Sequence, residues 1–352
     1  MALDKYNMQN EGGMKMSELR RDVIRNNWVI IATDRALKPN DFPINKQGAK
    51  TAEFKGFCPF CEGNESFTPE EIAAYRRNDT QANLPGWQVR TIPNKFSALE
   101  LKGSLIKINN GVYSSYNGLG KHEVVVETPQ HEIDLPEYSL DDITLILNML
   151  KSRYDQLMKD ERIKYIHIYK NHGLYAGASL GHSHSQIVGL PIFPNENRGI
   201  DKYYKKTGRC LLCDILEQEI NDRERVIYET DHFVLICPFA SRFSYETWII
   251  PRKHTAHFMN VGSEEVKELA AILKYFSIAI KEGLNDPSYN MIIVSAPVNV
   301  ENPIEGYHWY IELTPRLIVS SGLEIGTGYY VNPVAPEISA SILKESLFKA
   351  LA

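Results

Sequence analysis

The sequence predicts an α+β fold built from two similar halves, each a mostly antiparallel sheet with one long helix, and three observations predict it. A Cys-x-x-Cys pair occurs twice, as Cys58-Pro59-Phe60-Cys61 and Cys210-Leu211-Leu212-Cys213. After each pair the same order follows: an apolar strand-like run, a histidine, a helical pattern, a second strand-like run and a second histidine. Strand-like runs alternate with a single long helical pattern in each half, which favours hairpin-rich antiparallel sheet over βαβ units. Repetition at this scale marks duplication.

In the first half, the strand-like run 123–127 ends near His131, and a helix is expected over 140–160. Its apolar residues Ile143, Leu145, Ile146, Met149, Leu150 and Leu157 keep the three-to-four spacing of one helix face. The strand-like run 165–169, a glycine-rich stretch and His182 follow, roughly fifty residues after His131. In the second half the run 246–250 leads through Pro251 to His254. A helix is expected over 263–282, with Val266, Leu269, Ile272, Leu273 and Phe276 on one face, before the strand 289–294 and His308. Asp141 and Ser263 are the expected N-caps. The polar, Met-, Asn- and Gly-rich residues 1–16 read as a frayed arm, 17–195 as the first half and 206–352 as the second. The boundary falls in the polar stretch 195–206, beside Pro194 and containing Gly199.

At 352 residues, 43% hydrophobic and 24% charged, the chain has the composition of a globular protein with a sizeable core. A net charge of -5 argues against a general nucleic-acid binder, which needs cations to neutralise phosphates. No run approaches the roughly 20 apolar residues of a membrane span, and no signal-peptide pattern opens the sequence. Paired cysteines without a secretory signal imply a reducing, cytoplasmic setting in which disulfides do not persist. The fifth cysteine, Cys237, sits in an apolar run and reads as a buried, inert thiol.

Each half offers two cysteines and two histidines. Thiolates and imidazoles are the ligands zinc prefers, and a Cys-x-x-Cys turn aims two thiolates at one point. The expected sets are Cys58, Cys61, His131 and His182, and Cys210, Cys213, His254 and His308. Four protein ligands leave no open position, so the Zn2+ would be structural. A redox pair or a buried turn is the alternative for either Cys-x-x-Cys taken alone.

The segment His182-Ser183-His184-Ser185-Gln186 carries the chemistry. In extended chain His182, His184 and Gln186 project to one side, so one histidine can bind metal while its neighbour addresses a substrate. The preceding stretch, with Gly173, Gly177, Ser179 and Gly181, suits close approach to a phosphate. Ser179 and Gln186 can donate hydrogen bonds to phosphoryl oxygens, and a neutral imidazole can attack phosphorus. A cluster of buried, satisfied histidines is the competing reading.

The HSHSQ segment is similar to the HxHxQ signature of the galactose-1-phosphate uridylyltransferase branch of the histidine-triad superfamily, and the likeness extends over nearly the whole chain. Asn27 to Arg35 resembles the opening strand and phosphate-contacting arginine of that family, and Cys58 and Cys61 its zinc pair. Pro93-Asn94-Lys95-Phe96 resembles its nucleotide-contacting turn. Asn171, Ser179 and Gln186 match its phosphate-handling residues, and His184 falls on its nucleophile. The resemblance implies a duplicated histidine-triad fold, a homodimer, and ping-pong transfer. His184 would take a nucleoside monophosphate from an NDP-sugar and pass it to a sugar 1-phosphate or to phosphate. In the second half Tyr310 stands at the nucleophile position, which makes that half catalytically silent.

One departure bears on the substrate. Where uridylyltransferases carry a Gly-Tyr-Glu that contacts the hexose, this sequence has Gly326-Thr327-Gly328. That segment, HSHSQ in place of HPHGQ, and a second Cys2His2 set look more like the ADP-glucose phosphorylase branch. Uridylyl transfer to a hexose 1-phosphate is placed first as the commoner activity, with NDP-sugar phosphorolysis as the alternative. A histidine-triad hydrolase and a zinc-ribbon binding protein are the remaining readings, the last opposed by the acidic balance.

Overall fold

The computed structural model of the chain describes residues 17–33, 37–42, 56–77, 79–194, 198–301 and 305–352. The expected arm 1–16, Arg35 and Asn195 lie outside the described residues.

The first half contributes β1 (Glu18–Asp22), β2 (Asn27–Ile31), β3 (Ala73–Arg76), β4 (Trp87–Pro93), the exposed hairpin β5 (Lys107–Asn110) and β6 (Tyr113–Tyr116), β7 (Lys121–Val126), helix α1 (Leu140–Met158), β8 (Tyr165–His172) and β9 (His184–Leu190). Helices α2 (Arg198–Thr207) and α3 (Leu211–Asp222) follow, so the polar boundary stretch is largely helical rather than a loop. The second half then runs through β10 (Val226–Glu229), β11 (Phe233–Ile236), β12 (Thr247–Pro251), helix α4 (Ser263–Gly283), β13 (Tyr289–Val294) and β14 (Tyr310–Pro315). Helix α5 (Gly322–Thr327), β15 (Tyr330–Asn332) and helix α6 (Pro336–Leu351) complete it.

Ten strands form one sheet in the order β10-β11-β12-β14-β13-β8-β9-β7-β4-β3. Read outward from the central β13–β8 pair, the two sides have the same sequence order, and every pairing is antiparallel. Helix α1 lies between β7 and β8 as α4 lies between β12 and β13, so the duplication expected from the sequence is a duplication of topology. Alternation along each strand sends one set of side chains to the helices. Val125, Ile166, Ile168 and Ile187 meet Ile143, Leu147, Leu150 and Tyr154 of α1, and the same core continues through Leu235, Ile249 and Ile311 to Leu269, Leu273 and Phe276 of α4.

The expected helix caps are corrected. Ser139, not Asp141, caps α1, accepting from the Asp142 N–H while Asp142 accepts from the Ser139 N–H. Gly262, not Ser263, is the N-cap of α4, and its N–H is held by Glu265. Expecting one long helix per half leaves out α6, which packs against α4. Its apolar residues are interrupted by polar ones on both sides, so its periodicity is weak in the sequence.

Candidate functional site

On β9 and its neighbours, Gln186 stands opposite Tyr169 of β8 and Val124 of β7, and His184 stands opposite Val126. Ser185 and Ile187 point to the helix side, so His184 and Gln186 point away from it. His182 precedes the strand, and its ring shares a wall with that of His184. Both meet Phe60 edge-on, with ring centroids 6.0 Å and 5.4 Å away. The Cys-x-x-Cys turn therefore supplies packing as well as sulfur.

His184 is buried, and its Nδ1 lies 2.8 Å from the carbonyl oxygen of His182. A carbonyl only accepts, so Nδ1 carries the hydrogen and, in the neutral ring, Nε2 carries a lone pair. Burial lowers the pKa of this imidazole below its ordinary value, with Lys170 adding to the effect, so the neutral ring is favoured. The ring is thus held in one orientation with Nε2 free of the carbonyl.

Behind the strand, on the helix side, lies a buried ionic layer. Lys170, 1% exposed, pairs with Glu127 at 2.8 Å and Asp134 at 3.0 Å, and also donates to Ser183. The Ser183 hydroxyl donates to Glu127 (2.8 Å), and that of Ser185 donates to the other Glu127 oxygen (2.6 Å). The two serines of HSHSQ thus tie the strand to a charged layer that cannot move without leaving a buried charge unpaired. Asp134 continues the layer to His172, 2.6 Å away, which stacks on Tyr289.

The other expected contact residues, Arg35 apart, each have a definite place. Gln186 Oε1 accepts from Tyr169 (3.0 Å) and lies 2.8 Å from His122 Nε2. Asn94 reaches the same histidine, so the Pro93–Phe96 turn and Gln186 belong to one cluster. Asn171 accepts from Asn290 (2.8 Å), and its amide nitrogen faces Gly177, where a Cβ would stand 3.9 Å from it. Gly173 and Gly177, at φ +79° and +84°, adopt the left-handed backbone that lets the loop turn here. Ser179 is exposed on that loop. Arg35 lies outside the described residues.

Both Cys/His sets converge, with the ligand atoms of each within 4.8 Å of one another. In the first, Cys61 Sγ lies 3.5 Å from His131 Nδ1, and both thiols lie 3.6 Å from His182 Nδ1. Zinc at about 2.3 Å from sulfur and about 2.0–2.1 Å from nitrogen would space tetrahedral S and N atoms by about 3.5 Å. His182 donates from Nε2 to the Thr128 carbonyl (2.7 Å), which leaves Nδ1 bare toward the thiols. Burial and the neighbouring Cys58 push the Cys61 thiol up to about 11, a cost that a bound cation would reverse. In the second set Cys213 lies 3.3 Å from His254 and 3.5 Å from His308.

On the matching face of the second half the equivalent side chains are buried. Tyr310 and Glu312 stand on β14 where His184 and Gln186 stand on β9. Glu312 is buried and bound by Arg25 and Arg242, and Arg25 also pairs with Asp22 at 3.2 Å. Tyr310 packs with Trp248, Ile24, Ile200 and Leu212 in a core covered by α2 and α3.

The N-terminal domain model of galactose-1-phosphate uridyl transferase matches residues 7–194, and the C-terminal domain model matches 196–327. The chain belongs to the galactose-1-phosphate uridylyltransferase family. It is 36% identical to ADP-glucose phosphorylase of Arabidopsis thaliana, over 93% of this chain and 92% of that protein. It is 31% identical to galactose-1-phosphate uridylyltransferase of Thermotoga maritima, over 94% of this chain and 99% of the relative. Among solved structures, the Arabidopsis phosphorylase with bound ADP-glucose aligns with a TM-score of 0.77 at 34% identity, covering 94% of this chain and 99% of that one. A uridylyltransferase structure aligns with a TM-score of 0.73 at 26% identity, covering 96% and 100%. These relatives are enzymes that act on sugar nucleotides or sugar phosphates, and the family is enzymatic.

The segment where this family member departs from the uridylyltransferases has its own structural duties. Gly328 caps α5 in left-handed geometry (φ +72°), and a Cβ there would stand 2.9 Å from Asn27 Nδ2, which donates to the Gly328 carbonyl. The Thr327 hydroxyl donates back to Leu323 at 2.7 Å. Sequence reasoning missed His122, Tyr169, Phe60 and the Lys170–Glu127 pair. Alternation alone could have put Tyr169 on the same face as Asn171, but its contact with Gln186, and that of His122, follow only from strand register.

Burial opposes charge on His172, but the carboxylates of Asp134 and Asp286 outweigh it and raise its pKa to about 9. The folded value lies above the ordinary one near 6.5, so the stabilisation is complete below about pH 6.5 and is lost as pH rises through 9. The fall in unfolding free energy between pH 6.5 and 9.5 should therefore shrink in His172→Gln, as measured by denaturant titration. An unchanged slope would mean that His172 is not held as the cation.

Proposed function

We propose that this chain moves a nucleoside monophosphate from a sugar nucleotide to a phosphate-bearing acceptor through a covalent nucleotidyl-His184. The observation that carries the reading is the 2.8 Å bond from His184 Nδ1 to the His182 carbonyl, which leaves the Nε2 lone pair for attack. In the first displacement Nε2 bonds to the α-phosphorus, the bond from that phosphorus to the bridging oxygen breaks, and sugar 1-phosphate leaves. The ring retains its Nδ1 hydrogen and becomes cationic, which strengthens its bond to the carbonyl. In the second displacement an acceptor oxygen attacks the same phosphorus, the N–P bond breaks and the neutral imidazole returns. Gln186, through its amide nitrogen, would hold a non-bridging oxygen as charge develops on it.

The acceptor is read as inorganic phosphate and the donor as ADP-glucose, ahead of uridylyl transfer to a hexose 1-phosphate. Thr327 and Gly328, which stand where the resemblance puts a tyrosine and a glutamate, close the end of α5 and carry neither a phenol nor a carboxylate to hold sugar hydroxyls. A transferase between two hexose 1-phosphates must hold a hexose in both half-reactions, a phosphorylase in only one. The greater likeness to the Arabidopsis phosphorylase supports the same order.

The Cys58, Cys61, His131, His182 set and the Cys210, Cys213, His254, His308 set would each hold a structural Zn2+. The first would fix His182, whose carbonyl orients His184, and the Phe60 ring against which His184 packs. The second half is read as scaffold, since Glu312 and Tyr310 are buried where the reacting groups would stand. A homodimer is expected from family likeness.

Release of glucose 1-phosphate should be faster from ADP-glucose with phosphate than from UDP-glucose with galactose 1-phosphate. His184→Asn should lower it by at least about 10³-fold with the unfolding midpoint unchanged. Full activity in that variant would refute the mechanism, and preference for the second pair would restore uridylyl transfer. Elemental analysis should give two zinc ions per chain in protein purified without chelator. Metal-free protein with full activity would refute the structural role of zinc.

A further inference from the structure

We propose that His122 and Tyr169 lock the side-chain amide of Gln186 in one orientation, and that Asn94 sets the direction of that lock through His122. This rests on the reading of Gln186 as the donor to the transferred phosphoryl group and adds the residues that make it one.

The oxygen and nitrogen of a glutamine amide are nearly the same size, so only hydrogen bonding decides which of them faces a substrate. A flipped Gln186 would present a carbonyl oxygen to an anionic phosphoryl group. Here the lock assigns the choice through a chain of contacts that starts at a backbone N–H. The Phe96 N–H can only donate, and it lies 2.9 Å from Asn94 Oδ1. The other end of that amide, Nδ2, is a donor and lies against the His122 ring, 3.3 Å from Nδ1 and 3.2 Å from Nε2. Nδ2 is almost equidistant from the two ring nitrogens, and the lock assigns its hydrogen to Nδ1, which places the ring hydrogen on Nε2. Nε2 then donates to Gln186 Oε1, 2.8 Å away. The Tyr169 hydroxyl reaches the same oxygen at 3.0 Å.

With His122 Nε2 and the Tyr169 hydroxyl both donating to this atom, the lock holds the oxygen of the amide there. The nitrogen of Gln186, with its two hydrogens, is turned away from both and left for the substrate. Strand geometry holds the parts in place: Tyr169 is registered opposite Gln186, and the Asn94 N–H is bonded to the His122 carbonyl at 2.9 Å. Asn94 is therefore a component of the lock, whether or not it also meets the nucleotide. His122 and Tyr169 are positioning residues and need not touch the reacting atoms.

The test is a set of steady-state kinetics on the full-length, metal-loaded protein. The substrates are ADP-glucose with phosphate or UDP-glucose with galactose 1-phosphate, whichever pair turns over. Gln186→Ala, His122→Phe, Tyr169→Phe and His122→Gln are measured singly, and His122→Phe also in the Gln186→Ala background. His122→Phe and Tyr169→Phe should each lower kcat by about 10- to 100-fold, with KM for the sugar nucleotide within about twofold of the parent. His122→Gln keeps a donor near the Nε2 position and should recover most of the loss. In the Gln186→Ala background, His122→Phe should have no further effect on the residual turnover. The lock is overturned if Gln186→Ala is slow while His122→Phe and Tyr169→Phe match the parent. It is equally overturned if His122→Phe slows the Gln186→Ala protein by its full factor. If Gln186→Ala itself retains parental turnover, the role given to Gln186 fails, and the lock fails with it.

Discussion

The site depends on one hydrogen bond, from His184 Nδ1 to the carbonyl oxygen two residues earlier. An imidazole can act as nucleophile through either nitrogen, and a free ring samples both tautomers. A carbonyl partner removes that choice, because it accepts a hydrogen and has none to give. The carbonyl belongs to His182, whose own ring is fixed between the thiols of Cys58 and Cys61 on one side and the Thr128 carbonyl on the other. The convergence of the Cys/His set and the orientation of His184 are thus one constraint, carried by adjacent peptide units. The Cys-x-x-Cys turn adds Phe60 as a wall for both rings.

A second constraint works from the opposite face of the sheet. Lys170, Glu127 and Asp134 form a buried charged layer, and Ser183 and Ser185 bond to it between and beside the histidines. Alternation along the strand explains the arrangement: histidines and glutamine to the cleft, serines to the charge. Removing one member of such a layer typically costs about 3–5 kcal/mol, because the remaining charge stays buried without a partner. Such a layer holds the strand rigidly, which suits a reaction whose geometry tolerates little displacement. The second half repeats the scaffold with Tyr310 and Glu312 at the positions of His184 and Gln186, and there Glu312 is paired with Arg25 and Arg242.

The duplication was legible because each half repeats the same chemical landmarks at similar spacing, and the sheet order reflects it strand for strand. The metal-ligand sets were legible for the same reason, and both converge in space. The caps were misplaced because several polar or small residues stand together at each helix start, and backbone geometry decides between near neighbours. Helix α6 escaped because its apolar residues do not keep to one clean stripe. His122 and Tyr169 were missed for a different reason. Their importance lies in which atom of Gln186 they touch, and that depends on strand register, which a sequence does not display. The same holds for Lys170 and Glu127, which are 43 positions apart and meet only when β7, β8 and β9 are paired.

The central claim is that Nε2 of His184 carries the nucleotidyl group. The most direct measurement is to incubate the protein with ADP-glucose, and separately UDP-glucose, without acceptor, and then map the modified residue by peptide mass spectrometry. The attached nitrogen is then assigned by NMR of the isolated peptide. One nucleoside monophosphate on His184, bonded through Nε2 and discharged by adding the acceptor, is the predicted result. Attachment through Nδ1, attachment to another residue, or no adduct with a sugar nucleotide that supports turnover would contradict the account.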